Sequence, residues 1–282
     1  MENQKEESKQ DNKTSFAKNV VKDGGKGVIV GGSMLVPGVS GGTMAMLLGI
    51  YDSLITSVSS FFQQPKKSLK VLIPFVIGAL LGMVIFAKPI LALIEKYPMP
   101  TLYFFLGAVA GGIPFILKKA DVSKLSFSTV FSLLFGIALV VSIARLPENL
   151  FTVSLNVGMS EILLLMAAGI FVAVALILPG ISVSYMLLVM GMYQNTMDSI
   201  SKLYLPYLIP LGVGGILGIL LTTKILEKAM NKYPRPTYLI ILGFMIGSVA
   251  EIFPGFPTGL EWLWCIPCAV IGFIIMNKLG GE

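Results

Sequence analysis

A proline-glycine break inside a long apolar run is the feature that most constrains this chain, and the break occurs twice. The first copy, PGVSGGT, begins at Pro37, and the second copy, PGISVSY, begins at Pro179. Positions of the first motif match the second at a constant offset of 142 residues. Within a bilayer, a broken helix is tolerated only where protein or a water-filled cavity surrounds the freed backbone groups. The pattern therefore predicts two internal breaks that serve a polar ligand.

Composition places these breaks in a membrane. The chain has 282 residues, of which 55% are hydrophobic and 13% charged, and its mean hydropathy is +0.85. These values are typical of a polytopic membrane protein and exclude an ordinary soluble domain. The net charge of +6 is usual for a membrane protein with basic cytoplasmic loops. We therefore expect membrane lipids, and no nucleic acid, as partners.

The repeat continues beyond the breaks and divides the chain into two halves. Ile73-Pro and Lys96-Tyr-Pro recur as Ile209-Pro and Lys232-Tyr-Pro, now at an offset of 136. We predict a disordered cytoplasmic tail over residues 1–22, a first membrane repeat over 23–146 and a second over 160–282. The predicted fold class is an all-α polytopic membrane protein, each half comprising one Pro-Gly-broken helical hairpin and three transmembrane helices. The predicted apolar elements are 27–51, 71–94, 101–117, 125–144, 162–193, 205–230, 237–253 and 262–276.

Charge distribution favours inverted halves. If each broken element enters and leaves on one side, most lysines and arginines fall on the same face as both termini. If the broken elements span instead, the basic residues divide more evenly. The positive-inside rule therefore predicts re-entrant hairpins and cytoplasmic termini.

The residues at the breaks predict an anion site. Amides at a helix N-terminus point at a common spot and favour negative charge, glycines allow close approach, and hydroxyls add donors. The candidate substrate-binding residues of the two breaks are Pro37, Gly38, Ser40, Gly41, Gly42, Thr43, Pro179, Gly180, Ser182, Ser184 and Tyr185. Since the second copy replaces the glycine pair and threonine of the first, the two copies are not expected to bind an anion equally.

Four charged residues near helix ends have two interpretations each. Lys88 and Lys224 occupy equivalent positions and either snorkel to the headgroup layer or line the path of a phosphate. Arg145 is either an interfacial anchor or a bidentate phosphate ligand. Glu251 is either an outer-loop carboxylate or a proton carrier that couples transport.

The motif PGVSGGT, its following apolar helix ending in Gly-Ile-Tyr and the altered PGIS copy resemble the bacterial polyprenyl-phosphate transporter (PopT) family. The resemblance covers nearly all of the chain after about residue 22. It implies a flippase of the bacterial cytoplasmic membrane that returns undecaprenyl phosphate from the outer to the inner leaflet for reuse in cell-wall synthesis.

Two other function classes share part of this pattern. A secondary transporter of a small soluble anion would use the same helix-terminus chemistry and remains the alternative. A histidine-dependent lipid phosphatase is disfavoured because the chain has no histidine, and neither Ser40 nor Ser182 has an evident activating base. We therefore expect no enzyme activity and no cofactor. Cys265 and Cys268 lie in an apolar segment without a second pair, so we expect no metal site.

Overall fold

The structure is a computed structural model that describes residues 20–36, 38–122, 126–147 and 158–280. Within those ranges every regular element is helical, as the sequence predicts. The helices are α1 (20–33), α2 (Gly41–Leu47), α3 (Tyr51–Ser59), α4 (Pro65–Lys96), α5 (Pro98–Lys119), α6 (Phe127–Ile143), α7 (Met159–Ile177), α8 (Val183–Val189), α9 (Tyr193–Ser201), α10 (Leu205–Lys232), α11 (Pro234–Ile252) and α12 (Trp262–Leu279).

Six of the described segments are long and apolar enough to cross a membrane, which makes this a multi-pass membrane protein. They are α4, α5, α7, α10, α11 and the segment Gly259–Leu279 that contains α12. Helix α6, also apolar, has 17 residues and falls just below that length.

Glycines in the left-handed conformation separate the short helices around each break. Gly38 and Gly180 have φ values of 79° and 81°, and Gly49 and Gly191 have 66° and 63°. Residues other than glycine rarely adopt this conformation, because their Cβ crowds the backbone. The two Pro-Gly copies therefore fold alike, with a sharp turn on each side of a seven-residue helix.

Two short helices were not predicted. Helices α3 and α9 lie in stretches that the sequence analysis assigned to loops, because their mixed polar composition gives no membrane-length apolar run. In addition, α1 is already helical at residue 20, so the predicted tail boundary at residue 22 lies inside a helix. Residues 1–19 of that predicted tail lie outside the described residues.

Close glycine contacts hold α1 to α4 and α7 to α10. A Cβ at Gly78 would lie 2.1 Å from the Gly24 carbonyl oxygen, and one at Gly214 would lie 2.0 Å from that of Met166. Further along, Gly82 meets Val28 and Gly218 meets Ile170 in the same way. In each pair contacts advance in the same direction along both helices, so the partners run parallel. Small residues permit this approach of backbones in a membrane protein.

The last helix of each predicted half packs on the other half. Gly107 of α5 contacts Ala269 of α12, and a Cβ there would lie 1.9 Å from the alanine carbonyl oxygen. Correspondingly, a Cβ at Gly243 of α11 would lie 2.4 Å from the Leu133 oxygen of α6. Gly107 and Gly243 are separated by the repeat offset of 136. The two predicted halves are thus joined by an exchange of helices.

After the first break the chain turns back on itself. Lys26 of α1 donates a hydrogen bond of 2.6 Å to the carbonyl oxygen of Leu48, which ends α2. Helix α3 then returns to the start of α4, where Ser60, Gln64 and Ser68 line one cleft. The same cleft contains Glu227, so the start of α4 lies beside the end of α10.

Candidate functional site

The two breaks meet each other inside the protein. The Gly180 amide donates a buried hydrogen bond of 3.0 Å to the Thr43 hydroxyl. A Cβ at Gly42 would lie 3.3 Å from the Ile177 oxygen and 3.4 Å from Pro179. The Tyr51 hydroxyl also donates to the Ile177 oxygen at 2.7 Å. Residues far apart in the sequence therefore bring both broken helices to one place.

A cavity of about 440 Å³ lies between the breaks. We call it the break cavity. It is lined by Met34, Leu35, Val36, Gly38, Val39, Ser40, Gly41, Ala175, Leu176, Ile181, Ser182, Val183, Ser184, Tyr185 and Leu188. Its volume falls within the range of small-molecule sites. No charged side chain is among these described lining residues, so its polar groups are hydroxyls and main-chain groups.

The first break offers an uncapped helix start to the cavity. Ser40 is the N-cap of α2 in extended conformation, and its side chain makes no capping hydrogen bond. The first amides of any helix lack an intrahelical partner. Gly41 lines the cavity, and a Cβ at this position would lie 2.7 Å from the sulfur of the flexible Met34 side chain. Pro37 lies outside the described residues.

At the second break, the hydroxyls of Ser182 and Tyr185 already form hydrogen bonds within the protein. The Ser182 hydroxyl caps α8 by accepting from the Tyr185 amide at 3.3 Å. The Tyr185 hydroxyl lies 2.9 Å from the Ala144 oxygen and 2.8 Å from the Leu146 oxygen. These carbonyls flank Arg145, whose side chain is exposed. The backbone of Arg145 therefore lies next to a residue that lines the break cavity.

The other predicted charges lie away from the cavity lining. Lys88 and Lys224 are exposed, and Lys224 lines a separate polar cleft with Glu227 and Lys228. Glu251 is exposed, but a Cβ at Gly38 would lie 3.1 Å from its main-chain oxygen. The structure thus brings the break residues together and leaves both lysines elsewhere.

A polar cluster of the two halves was missed by the sequence analysis. Lys119 of α5 forms an ion pair with Asp52 of α3, and the Tyr238 hydroxyl of α11 donates to the same carboxylate oxygen at 2.9 Å. The repeat does not mark Asp52 as a candidate, because its counterpart at the offset of 142 is Gln194. No local pattern could have found this cluster, since its members are 67 and 186 residues apart.

Residues 30–264 match the sequence profile of a family described as undecaprenyl phosphate translocase-like. The chain belongs to this family. It is also 36% identical over 267 residues to a polyprenyl-phosphate transporter of Staphylococcus aureus, covering 90% of this chain and 94% of that protein. A polyprenyl-phosphate transporter of Vibrio cholerae is 30% identical over 252 residues, covering 84% of this chain and 78% of the relative.

No solved structure matches the chain. The family membership agrees with the resemblance drawn from the PGVSGGT motif, and residues 30–264 contain both Pro-Gly breaks. The matched region thus includes all residues that line the break cavity.

Proposed function

We propose that the protein is a flippase that moves undecaprenyl phosphate from the outer to the inner leaflet of the bacterial cytoplasmic membrane, where the carrier re-enters cell-wall synthesis. The observation that carries the proposal is the break cavity, which both Pro-Gly motifs line. The two relatives named polyprenyl-phosphate transporters support the substrate class. Membership of a transporter family argues for translocation and against catalysis.

The break cavity suits a phosphate headgroup because it concentrates donors. A phosphate that leaves water loses more hydration than a single hydrogen bond returns, so several donors must act together. Ser40 and Ser184 offer hydroxyls from opposite breaks, and the amides after Ser40 add main-chain donors. The polyprenyl tail remains in the hydrocarbon, so only the headgroup crosses protein.

We further propose that the two halves are inverted repeats with re-entrant hairpins. Helices α1 and α4 run parallel, and α3 brings the chain back to the start of α4, which supports entry and exit on one side. The start of α4 lies beside the end of its repeat counterpart α10, which supports inversion. Rocking one half against the other would then expose the cavity to each leaflet in turn.

The charged residues outside the cavity take roles along the path in this proposal. Arg145, next to Tyr185 at the edge of the cavity, collects the incoming headgroup with its guanidinium. Lys88 and Lys224 attract the phosphate near opposite membrane faces. Glu251, whose backbone packs on Gly38, carries the coupling proton. Both termini face the cytoplasm.

The direct test is transport in proteoliposomes that contain undecaprenyl phosphate. A soluble, membrane-impermeant phosphate-modifying enzyme reports the lipid exposed in the outer leaflet. With the protein present, we expect the enzyme to modify all of the undecaprenyl phosphate, and not only the part that starts in the outer leaflet. Protein-free vesicles and vesicles with heat-unfolded protein serve as controls.

Uptake of inorganic phosphate is measured in the same vesicles. If the protein imports inorganic phosphate and leaves the lipid distribution unchanged, the soluble-anion alternative replaces the flippase. If neither moves, the proposal fails.

A further inference from the structure

An apolar cleft lies on the membrane-facing side of α4, α5 and α12. Its larger part has a volume of about 730 Å³ and is lined by residues that include Leu93, Tyr97, Pro100, Trp264 and Cys268. A smaller part of about 260 Å³ continues it inward. Both parts share Phe86, Ile90, Phe104 and Phe105, so they form one continuous groove, which we call the α4–α12 groove.

The lining of the groove is almost entirely apolar. No charged side chain lines it within the described residues. Thr101 is polar, but its hydroxyl donates to the Tyr97 carbonyl at 2.7 Å and is therefore satisfied. The chemistry of the lining selects a hydrocarbon chain.

The inner end of the groove abuts the break cavity. Ser33 and Met44 line the groove, whereas Met34 and Gly41 line the break cavity. Ser33 and Met34 are consecutive in the chain at the end of α1, and Gly41 and Met44 lie within one turn of α2. A lipid whose headgroup occupies the cavity would therefore have its first hydrocarbon units beside the groove.

Several residues of the groove are less buried than their repeat counterparts. At the offset of 136, Ile90 and Phe105 correspond to Leu226 and Ile241, which are 8% and 1% exposed. The counterpart of Cys268 is Ser132, also buried. Arg235 at the start of α11 donates to Thr129 of α6 at 3.1 Å. At these positions the second half is more closely covered than the first.

We propose that the α4–α12 groove binds the polyprenyl tail of the transported lipid. This inference rests on the proposed function and adds to it the site of the tail. Each isoprene unit contains a double bond that cannot rotate, so the chain has fewer rotatable bonds per carbon than a saturated acyl chain and loses less rotational entropy when held in a groove. The rings of Phe86, Phe104 and Trp264 and the rigid Pro89 and Pro100 provide such a fixed wall.

The energetic gain comes from packing and not from the hydrophobic effect. Lipid tails already surround the isoprenoid with apolar contacts, so transfer into the groove returns dispersion contacts and shape complementarity. The groove therefore guides the tail and orients the headgroup toward the cavity, and its loss slows transport without abolishing it.

The first test uses a polyprenyl phosphate with a photoreactive diazirine in an isoprene unit near the phosphate, in proteoliposomes of the unaltered protein. Illumination should attach the probe within residues 86–105 or at Trp264. Excess undecaprenyl phosphate should reduce the adduct, whereas inorganic phosphate and phosphatidylglycerol should not. Adducts spread evenly over the lipid-facing helices, or equal competition by phosphatidylglycerol, would overturn the assignment.

The second test fills the groove. Leu93→Trp adds bulk inside it, and Leu80→Trp adds the same bulk on the lipid-facing side of α4 outside it; the wild-type side chains are 47% and 58% exposed. Leu93→Trp should lower the initial transport rate of undecaprenyl phosphate about threefold, the modest effect expected when only packing is lost, and Leu80→Trp should leave it unchanged. Equal rates in both variants would overturn the inference.

Wild-type protein in the same vesicles separates the two claims. If wild type moves the lipid while the adducts are dispersed, the groove assignment fails and the flippase stands. If wild type moves no lipid but undecaprenyl phosphate still competes for a groove adduct, the tail site stands and the transport proposal fails.

Discussion

At the residue scale, one hydrogen bond joins the two breaks. The Gly180 amide and the Thr43 hydroxyl are both buried. Thr43→Val keeps the side-chain shape but removes the acceptor, and a buried amide left without a partner costs about 1–3 kcal/mol. We expect a lower melting temperature in detergent and slower lipid transport. Thr43→Ser keeps the hydroxyl and should retain most of the thermal stability and most of the transport rate. A Thr43→Val variant with wild-type stability and transport would show that this hydrogen bond does not couple the two breaks.

The two glycines of the first break differ in what surrounds them. A Cβ at Gly42 faces the backbone of Ile177 and Pro179, which cannot move independently of the second break, whereas one at Gly41 faces the movable Met34 side chain. Gly42→Val should therefore reduce transport and stability more than Gly41→Ala. Gly25→Ala, with open space around its Cβ, is the matched control. Transport rates and thermal unfolding of the three variants check this ranking; equal behaviour would contradict it.

The sequence could predict the residues of the break cavity because the motif and its repeat are local patterns. Gly38, Ser40 and Gly41 meet Ser182, Ser184 and Tyr185 there. The sequence could not predict which of these hydroxyls already form hydrogen bonds within the protein. Ser182 caps its helix and Ser40 does not, although both are serines with nearly the same extended backbone conformation.

At the scale of helices, glycine contacts hold the last helix of each half against a helix of the other half. Gly107 and Gly243 occupy equivalent positions on α5 and α11, and a Cβ at either would overlap the carbonyl of the partner helix. Overpacking of this kind costs about 1–3 kcal/mol. Gly107→Ala and Gly243→Ala should each lower the melting temperature. Gly212→Ala on α10, with nothing near its Cβ, should not; equal stability of all three would contradict this packing.

The Asp52 cluster connects α3, α5 and α11 through one carboxylate. One of its oxygens is buried with no hydrogen-bond partner, and the other takes both Lys119 and Tyr238. The ion pair is partly solvated, so its contribution is modest. Lys119→Met should lower the melting temperature in a wild-type background and less so when combined with Asp52→Asn. Additive effects in this double-mutant cycle would show that the pair contributes no coupling.

Long apolar helices were predictable from composition, whereas α3 and α9 were not. Helix α3 buries Tyr51 and Ile55 together with Ser57 and Ser59, and this mixed face forms only because α4 and α10 cover it. Short polar helices of this kind depend on tertiary packing, which a single-sequence pattern does not contain. The same limit applies to the start of α4, which begins at Pro65, six residues before the predicted apolar run.

At the scale of the whole molecule, the proposed inversion of the two halves predicts which loops face the cytoplasm. Lys67, Lys118 and Lys202 are exposed. In a background without Cys265 and Cys268, cysteine at position 67 or 118 should resist an impermeant thiol reagent added to intact spheroplasts, and cysteine at position 202 should react. Position 118 is chosen and not the neighbouring position 119, because Lys119 forms an ion pair with Asp52. Labelling of position 67 from outside would contradict the first re-entrant hairpin.

The central claim is that the phosphate headgroup crosses the membrane through the break cavity. Its most direct test is undecaprenyl phosphate transport by Ser40→Cys and Ser184→Cys, one from each break, in a background without Cys265 and Cys268. Transport is measured before and after modification with a small charged methanethiosulfonate, with Lys118→Cys in the same background as the surface control. Blocking the cavity should stop transport in both cavity variants and leave the control active, and prior addition of undecaprenyl phosphate should slow the modification. Full transport after complete modification at both cavity positions would contradict the account.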